Sequence, residues 1–412
     1  MVLSRLRNAF DSSALPGIAI LAVFFAQQSI ASLLVPLGRA SQLSDQALGG
    51  IMSMSSVCFV VGSVLWGFLA GTMRADRLLT LGFSGAAIGL VIFAAALNLT
   101  RNGLLASDSA FWMALVGRSI IFGMAASVVP IVSQSFALTL DSPRTRQLAV
   151  SNIGLAYSLS GICGPAVGAA LFVVTPLAPL WAAPALIVFV GSLVVVVFRK
   201  HERSRPIIRS ASGPRRSEGR SAIGLRAGTR LLAGVLLSCG SSCVIILFPF
   251  LLQDKFRLTS AESGPVIGIS LTCAALAGLA GQILITRRWK WPPAALVLLG
   301  SVVQLAGAML LVLSPSVVVT CGGVVLNAFG SAMSVPAYTL WIGSVVQAQA
   351  QARLAGYMEA TNSLAPALVP LVGVAAYHWS PSAPFLAAAI SFTCVTAWSM
   401  TTVAPRRAPH RG

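Results

Sequence analysis

Arg118 and Glu359 are charged residues inside long apolar segments of the chain, at 111–136 and 354–377. A guanidinium group in such a setting can bind a carboxylate or a hydroxamate through two parallel hydrogen bonds, or it can hold neighbouring carbonyl groups in place. A carboxyl group there can take up and release a proton, or it can pair with an arginine such as Arg353. The residue types alone do not decide between the two roles of Arg118 or between the two roles of Glu359.

Three neutral polar residues add hydrogen-bonding groups to the same kind of segment. Gln27, Asn327 and Asn362 each lie within an apolar run. Amide side chains at such positions either line a cavity or bond one helix to another. We treat all three, together with Arg118 and Glu359, as candidate substrate-binding or coupling residues.

Groups that would support catalysis or hold a metal are sparse. The seven cysteines fall inside apolar runs, where they are expected to act as small packing residues, and the three histidines fall in loops or at segment ends. The chain has no GxxxxGK[ST] loop for binding nucleotide phosphates. We therefore expect no metal, no cofactor and no catalytic residues, with a membrane enzyme or sensor as the alternative.

The segments that position these residues have the length needed to cross a lipid bilayer. Of the 412 residues, 56% are hydrophobic and 9% are charged, a balance that a water-soluble core of this size does not allow. A membrane span needs about 20 apolar residues to cross roughly 30 Å of hydrocarbon. We predict twelve helical spans, at about 15–38, 47–71, 78–97, 111–136, 148–174, 177–198, 230–252, 263–286, 293–313, 317–342, 354–377 and 384–403.

The basic residues are distributed unequally between the two sides of the predicted bilayer. If the N-terminus is cytoplasmic, the cytoplasmic segments hold 23 of the 28 Lys and Arg residues and the opposite side holds four. This asymmetry is the positive-inside pattern, so the net charge of +18 reports topology and not nucleic-acid binding. We expect a multi-pass protein of the cell inner membrane with both termini in the cytoplasm.

Internal repetition divides the spans into two halves. Three positions of the second span recur in the eighth at one constant offset: Gly50, Gly67 and Arg74 match Gly264, Gly281 and Arg288. The predicted fold is all-α, with two six-helix pseudo-repeat bundles. We predict three regions: an N-terminal bundle at 1–198, a basic cytoplasmic linker at 199–229 that is rich in Arg, Ser, Gly and Pro, and a C-terminal bundle at 230–412.

The fifth span contains a helix-packing motif built from Gly161, Gly164, Pro165 and Gly168. Small residues at this spacing let two helices approach closely, and the proline bends its helix. The motif is similar to the Gly-Pro motif of drug and metabolite exporters in the major facilitator superfamily. The alternative is the close packing found in any membrane bundle.

The loop after the second span carries Arg74, Asp76 and Arg77. It resembles a degenerate form of the cytoplasmic-gate motif of the same family, with Gly71 where family members usually carry Asp. The resemblance implies that these charges pair in one conformation and separate in another. Ordinary positive-inside charge accounts equally well for the two arginines.

The whole chain resembles this superfamily in its six plus six helices and its long basic central loop. The segment Leu115–Gly123 is similar to the exporter motif in which an intramembrane Arg precedes a Gly, although here the Gly comes one residue later. The resemblance implies a secondary active transporter that works as a monomer in the lipid bilayer, with protons as the coupling ion.

The charge of the predicted cavity favours one class of cargo. The first six spans contain Arg118 and no acidic residue. A cationic cargo would gain from buried acids, so we expect an exporter of a small amphiphilic or anionic metabolite, such as a siderophore. A multidrug efflux exporter, or an importer of a small solute on the same fold, is the alternative.

Overall fold

The structure is a computed structural model, and it describes residues 13–69, 73–140, 142–201, 225–288, 291–343 and 351–403. Within these ranges the regular elements are helices and no strand occurs. The hydrocarbon of a bilayer offers no hydrogen-bond partner to the backbone, so an apolar segment must pair its own N–H and C=O groups in a helix. The predicted all-α membrane fold is confirmed.

In the described part of the first half, the structure has nine α-helices and one π-helical turn, π1. Their bounds are α1 Leu15–Ala31, α2 Leu34–Ala40, α3 Asp45–Leu69, α4 Ala75–Arg101, α5 Ser107–Ala114, π1 Leu115–Ile121, α6 Phe122–Ala126, α7 Val128–Thr139, α8 Pro143–Val174 and α9 Ala178–His201. The segments α5, π1, α6 and α7 follow one another and together form the fourth predicted span.

The second half has six α-helices among its described residues, and each covers one predicted span. Their bounds are α10 Leu225–Lys255, α11 Ser260–Arg288, α12 Pro293–Leu313, α13 Val317–Gly343, α14 Gln351–Trp379 and α15 Ala383–Val403. Ten helical segments of the described chain are long and apolar enough to cross a membrane, and the bent pair of α1 and α2 makes an eleventh. In α14, the apolar segment among the described residues is Leu364–Trp379, which is shorter than the other spans.

The first predicted span is broken and not straight. Its two parts, α1 and α2, meet at an angle of 53°. Pro36 lies in the first turn of α2 and has no N–H to offer the carbonyl group of Ser32, so a continuous helix loses a hydrogen bond there. The prediction of one continuous helix over 15–38 is therefore wrong at this proline.

The chain clusters into two units, which we name by their main parts. The N-terminal unit comprises Met1–Arg216 and Leu258–Thr272, and the C-terminal unit comprises Ser217–Arg257 and Cys273–Gly412. Most of the predicted linker 199–229 lies outside the described residues, as do both termini. The predicted region boundaries and the cytoplasmic placement of the termini therefore stay predictions.

In the N-terminal unit, α1 packs against α8 and α9, and α4 packs against α9 and π1. Gly89 of α4 and Gly117 of π1 form a reciprocal contact: a Cβ atom on Gly89 would lie 2.5 Å from the carbonyl oxygen of Gly117. Any side chain at either position would collide with the opposite backbone. The glycine pair thus fixes how closely π1 approaches α4.

In the C-terminal unit, α12 packs against α13 and α15, while α10 packs against α14 and α15. Two reciprocal glycine contacts join α12 to α13. A Cβ atom on Gly300 would lie 2.7 Å from the carbonyl oxygen of Gly330, and one on Gly307 would lie 2.6 Å from that of Gly323. The third and fourth predicted spans of each half are therefore joined by the same kind of close backbone contact, α4 to π1 in the first half and α12 to α13 in the second.

Candidate functional site

Arg118 lies on π1 with its side chain directed into the N-terminal unit, where only 5% of the residue is exposed. Its Nη1 donates a hydrogen bond of 2.9 Å to Ser55 Oγ on α3. The guanidinium carbon lies 4.6 Å from the centroid of the Phe122 ring, in cation–π geometry. Its Nε finds no acceptor among the described residues. The guanidinium group is held in place but keeps an unused donor.

No carboxylate among the described residues pairs with Arg118. The ion pairs of this unit are elsewhere: Arg39 binds Asp45 at 2.6 Å, and Asp76 binds two other arginines. A positive charge at the centre of a membrane helix costs about 2.5–3.5 kcal/mol on insertion scales. The hydroxyl group of Ser55 and the ring of Phe122 offset part of that cost without neutralising the charge. An anionic ligand would supply the missing partner.

The π-helical turn contains one more residue than the corresponding turn of the C-terminal unit. A Cβ on Gly89 would approach the carbonyl oxygen of Gly117 and the backbone nitrogen of Phe122, which are five residues apart. A Cβ on Gly307 would approach the carbonyl oxygen of Gly323 and the backbone nitrogen of Asn327, which are four residues apart. An i to i+5 hydrogen-bond pattern absorbs one added residue in this way.

The added residue explains why Gly123 comes one residue later after Arg118 than the Gly of the exporter motif does. Both Arg118 and Gly123 meet Ser55: a Cβ on Gly123 would lie 2.9 Å from the Ser55 carbonyl oxygen. In a regular α-helix, residues five apart differ in direction by about 140°, so they would not meet the same neighbour. The π turn brings both positions to α3. Phe122, four residues after Arg118, is a partner that helical spacing alone would have suggested.

Gln27 and three aromatic residues lie in the same unit. The side-chain Oε1 of Gln27 is buried without a hydrogen-bond donor among the described residues. Phe24, one turn earlier on α1, contacts Tyr157 with ring centroids 4.7 Å apart and Phe59 with centroids 6.2 Å apart. Gln27 and Tyr157 are polar residues that the sequence offers as cavity positions, whereas Phe24 and Phe59 were not predicted, because isolated phenylalanines in apolar spans carry no distinguishing signal.

Among its described residues, the C-terminal unit buries amides and no charged side chain comparable to Arg118. Asn327 on α13 is fully buried, and neither its Nδ2 nor its Oδ1 has a partner among the described residues. Gln304 on α12 is also fully buried but is satisfied: its Nε2 donates to Ser241 Oγ at 2.6 Å, and its Oε1 accepts from Ser334 Oγ at 2.9 Å. Sequence analysis missed Gln304, although its position inside an apolar span was visible.

Glu359 and Asn362 lie in the first half of α14. Their side chains are outside the part of the chain that the structure describes. Their roles in coupling and binding therefore stay predictions that rest on the sequence.

The predicted gate residues are found at the start of α4. Asp76 is 7% exposed and binds Arg74 Nε at 3.1 Å. Its second oxygen lies 3.5 Å from Nε of Arg199, at the end of α9, a partner that sequence analysis did not identify. Arg77 is exposed. In this structure the buried acid is thus paired within the N-terminal unit, and the gating role stays a prediction.

The Gly-Pro motif brings α8 close to α1. A Cβ on Gly164 would lie 2.7 Å from Cβ of Gln28, and one on Gly168 would collide with the carbonyl oxygen of Ser29. Gly161 has open space around it. Two of the three motif glycines are therefore required by close packing, and Pro165 lies inside the helix between them.

Comparison with known proteins places the chain in a family. A sequence model of the Major Facilitator Superfamily matches residues 17–317 and 230–412. No curated protein sequence matches the chain significantly.

Three solved structures illustrate the likeness of fold. A bacterial homologue of the iron transporter ferroportin, in an inward-facing state, has a TM-score of 0.71 at 11% identity and covers 93% of this chain and 98% of its own. The nucleoside transporter NupG has a TM-score of 0.68 at 13% identity, with 95% and 100% covered. The human organic anion transporter MFSD10 has a TM-score of 0.62 at 18% identity, with 94% and 98% covered. With the family match across the chain, the conclusion is that the protein belongs to the Major Facilitator Superfamily.

Proposed function

We propose that the protein is a proton-coupled exporter of a small anionic or amphiphilic metabolite, such as a siderophore, and that Arg118 binds the anionic group. The observation that carries this proposal is the buried guanidinium group of Arg118, which has no carboxylate partner among the described residues. A carboxylate or hydroxamate can accept two hydrogen bonds from the planar guanidinium fork. Its Nε donor has no hydrogen-bond acceptor among the described residues, so a bound anion would supply one.

Electrostatics favours an anion over a cation at this position. A cationic cargo near Arg118 would place a second positive charge in a region of low dielectric constant, where like charges repel strongly. An anion would instead offset the desolvation cost of the arginine. Because one transporter of the same fold is an organic anion transporter, an anionic cargo is compatible with the fold.

Glu359 is the proposed proton carrier. It is the only acidic residue within the predicted spans, and a membrane carboxyl group can exchange a proton during each transport cycle. The export direction rests on the similarity of the Gly-Pro segment to the motif of drug and metabolite exporters. The absence of a nucleotide-binding loop from the sequence supports coupling to an ion gradient.

The proposal of an anion site is tested by replacing Arg118 in everted membrane vesicles. We expect Arg118→Gln to reduce gradient-driven uptake of an iron chelator at least tenfold, and Arg118→Lys to restore part of it, because lysine keeps the charge and loses the fork. Membrane insertion, followed by immunoblotting, should be unchanged. Full uptake by Arg118→Gln would make Arg118 a structural residue.

Cargo identity is tested in cells that lack the gene. We expect reduced secretion of iron chelators under iron limitation and unchanged resistance to cationic dyes. Loss of dye resistance with normal chelator secretion would contradict the anionic cargo and support a multidrug exporter.

Coupling is tested by Glu359→Gln, which preserves shape but cannot titrate. We expect proton-driven uptake to be lost while substrate binding persists. Glu262→Gln is the matched control, because Glu262 is exposed and binds the backbone N–H of Thr259 at the start of α11. Unchanged uptake by Glu359→Gln would remove Glu359 from the coupling mechanism.

A further inference from the structure

Three aromatic side chains of the N-terminal unit form a cluster that anion binding at Arg118 does not explain. Phe24 of α1 contacts Tyr157 of α8 edge-on, with an interplanar angle of 76°, and Phe59 of α3 edge-on, with an angle of 82°. Three helices thus each contribute one ring. We name Phe24, Phe59 and Tyr157 the aromatic cluster.

Helix α3 connects the aromatic cluster to Arg118. Ser55, which accepts the hydrogen bond from Arg118, lies four residues before Phe59 on α3. Residues four apart project from the same face of a helix. With a rise of 1.5 Å per residue, their Cα atoms are ~6 Å apart along the helix axis. Ser55, which holds the charged group, and Phe59, which contributes a ring to the aromatic cluster, therefore project from one face of α3, one turn apart.

All three residues of the aromatic cluster are partly exposed, unlike Phe198 in a second ring pair of the same unit. Phe136 and Phe198 also contact each other, with centroids 4.6 Å apart, but Phe198 is fully buried. By contrast, Phe24 and Phe59 are half-buried and Tyr157 is 36% exposed. Part of each ring surface in the aromatic cluster is therefore open to contact with another molecule.

We infer that this site takes an aryl-substituted acid, with its anionic group on Arg118 and its aromatic ring one helical turn away on the aromatic cluster. The inference rests on the proposed function, because it uses Arg118 as the anion site. Because Ser55 and Phe59 are one helical turn apart, we expect a short ligand, with its acidic group joined to the ring directly or through one or two carbon atoms. Edge-on ring pairs attract each other beyond the gain from burial, and a saturated ring of equal size lacks this attraction.

The test measures competition for the purified transporter in nanodiscs. The reporter is 4-fluorophenylacetate, observed by fluorine NMR so that weak binding remains measurable. Phenylacetate, cyclohexylacetate and 2-phenylethanol compete with it. The first two share charge and size and differ in the ring, while the third has the ring without the charge. We expect phenylacetate to compete about three- to tenfold better than cyclohexylacetate, and 2-phenylethanol to compete least.

Substitutions assign the preference to the aromatic cluster. Phe24→Leu should remove the preference for phenylacetate and leave competition by cyclohexylacetate unchanged. Phe59→Leu serves the same purpose if Phe24→Leu does not fold. Phe189→Leu is the matched control, because Phe189 is 73% exposed on α9 of the same unit. Equal competition by both acids in the unsubstituted protein, or a preference that survives both Phe substitutions, would overturn the inference.

Arg118→Gln separates failure of this inference from failure of the proposed function. If both acids compete equally and Arg118→Gln abolishes reporter binding, the anion site stands and the aromatic inference is wrong. If the reporter binds Arg118→Gln as tightly as the unsubstituted protein, the anion site itself is wrong. Size-exclusion chromatography confirms that each variant is folded before binding is measured.

Discussion

The two units repeat a packing contact but differ in what they bury beside it. In each unit, a pair of glycines brings the backbones of the third and fourth spans into direct contact. The pairs are Gly89 with Gly117 and Gly307 with Gly323. Beside this contact the N-terminal unit buries Arg118, whereas the C-terminal unit buries neutral amides. The two halves thus share this glycine contact but differ in the polar side chains buried beside it.

The difference also separates a binding group from a structural one. Gln304 has partners for both its nitrogen and its oxygen, so its network is complete without a ligand. Arg118 has a hydroxyl group and a ring but no anion among the described residues. A completed neutral network stabilises a bundle, and an uncompensated charge destabilises it until a ligand binds. The N-terminal unit is therefore the better candidate for ligand recognition.

The largest expected effect comes from deleting one residue in corresponding turns. Deletion of Ile120 from π1 should convert the π turn to an α turn at a cost below about 2 kcal/mol, because the helix beyond it keeps its direction. Deletion of Val325 from α13 brings Gly323 and Asn327 to a separation of three residues, one fewer than an α-helical hydrogen bond spans. It also rotates the rest of the helix by about 100°. We expect that variant not to fold. Size-exclusion profiles in detergent measure both, and equal loss would contradict the extra residue in π1.

The glycine contacts should be equally intolerant in the two units. We expect Gly89→Leu and Gly307→Leu each to destabilise the protein by about 3 kcal/mol, the upper end of the usual cost of overpacking, because the new side chain meets backbone oxygen. The controls are Gly154→Leu and Gly322→Leu, whose surroundings are open. Thermal unfolding in detergent gives the comparison. A loss confined to one unit would mean that the packing is not repeated.

Removing the buried polar groups should have opposite consequences in the two units. Gln304→Leu leaves the hydroxyl groups of Ser241 and Ser334 without their amide partner and should cost about 1–2 kcal/mol. Arg118→Met removes an uncompensated charge and should leave stability unchanged or increased, while transport is lost. Thermal unfolding and vesicle uptake distinguish the two. Strong destabilisation by Arg118→Met would identify a structural role.

The smallest effect is expected at the start of α4 in the N-terminal unit. Asp76→Asn removes ion pairs to Arg74 and Arg199, whose side chains are half-exposed. Such pairs contribute about 0–1 kcal/mol, and salt should reduce the difference further. Asp108→Asn, at an exposed position, is the control. A larger loss that persists in high salt would mean that Asp76 stabilises the fold and not only a conformation.

Much of the fold was determined by the sequence itself, because the bilayer acts on composition and length. Apolar runs of membrane length must form helices, and the distribution of arginine predicts which loops face the cytoplasm. The repeated glycines predicted two related halves, and the isolated charge of Arg118 identified a candidate site. These properties depend on which residues occur in a segment more than on which residues they contact.

Tertiary structure decided how those residues are used, because contacts between distant segments leave no local signal. Arg118 contacts Ser55, which lies 63 positions earlier in the sequence. The extra residue of the π turn that directs Arg118 is visible only in the contacts of Gly89, which differ by one residue from those of Gly307. Only packing brought Phe24 to Phe59 and Tyr157, and Asp76 to Arg199. The sequence determined that a charge would be buried in the membrane, and the arrangement of the helices decided which groups surround it.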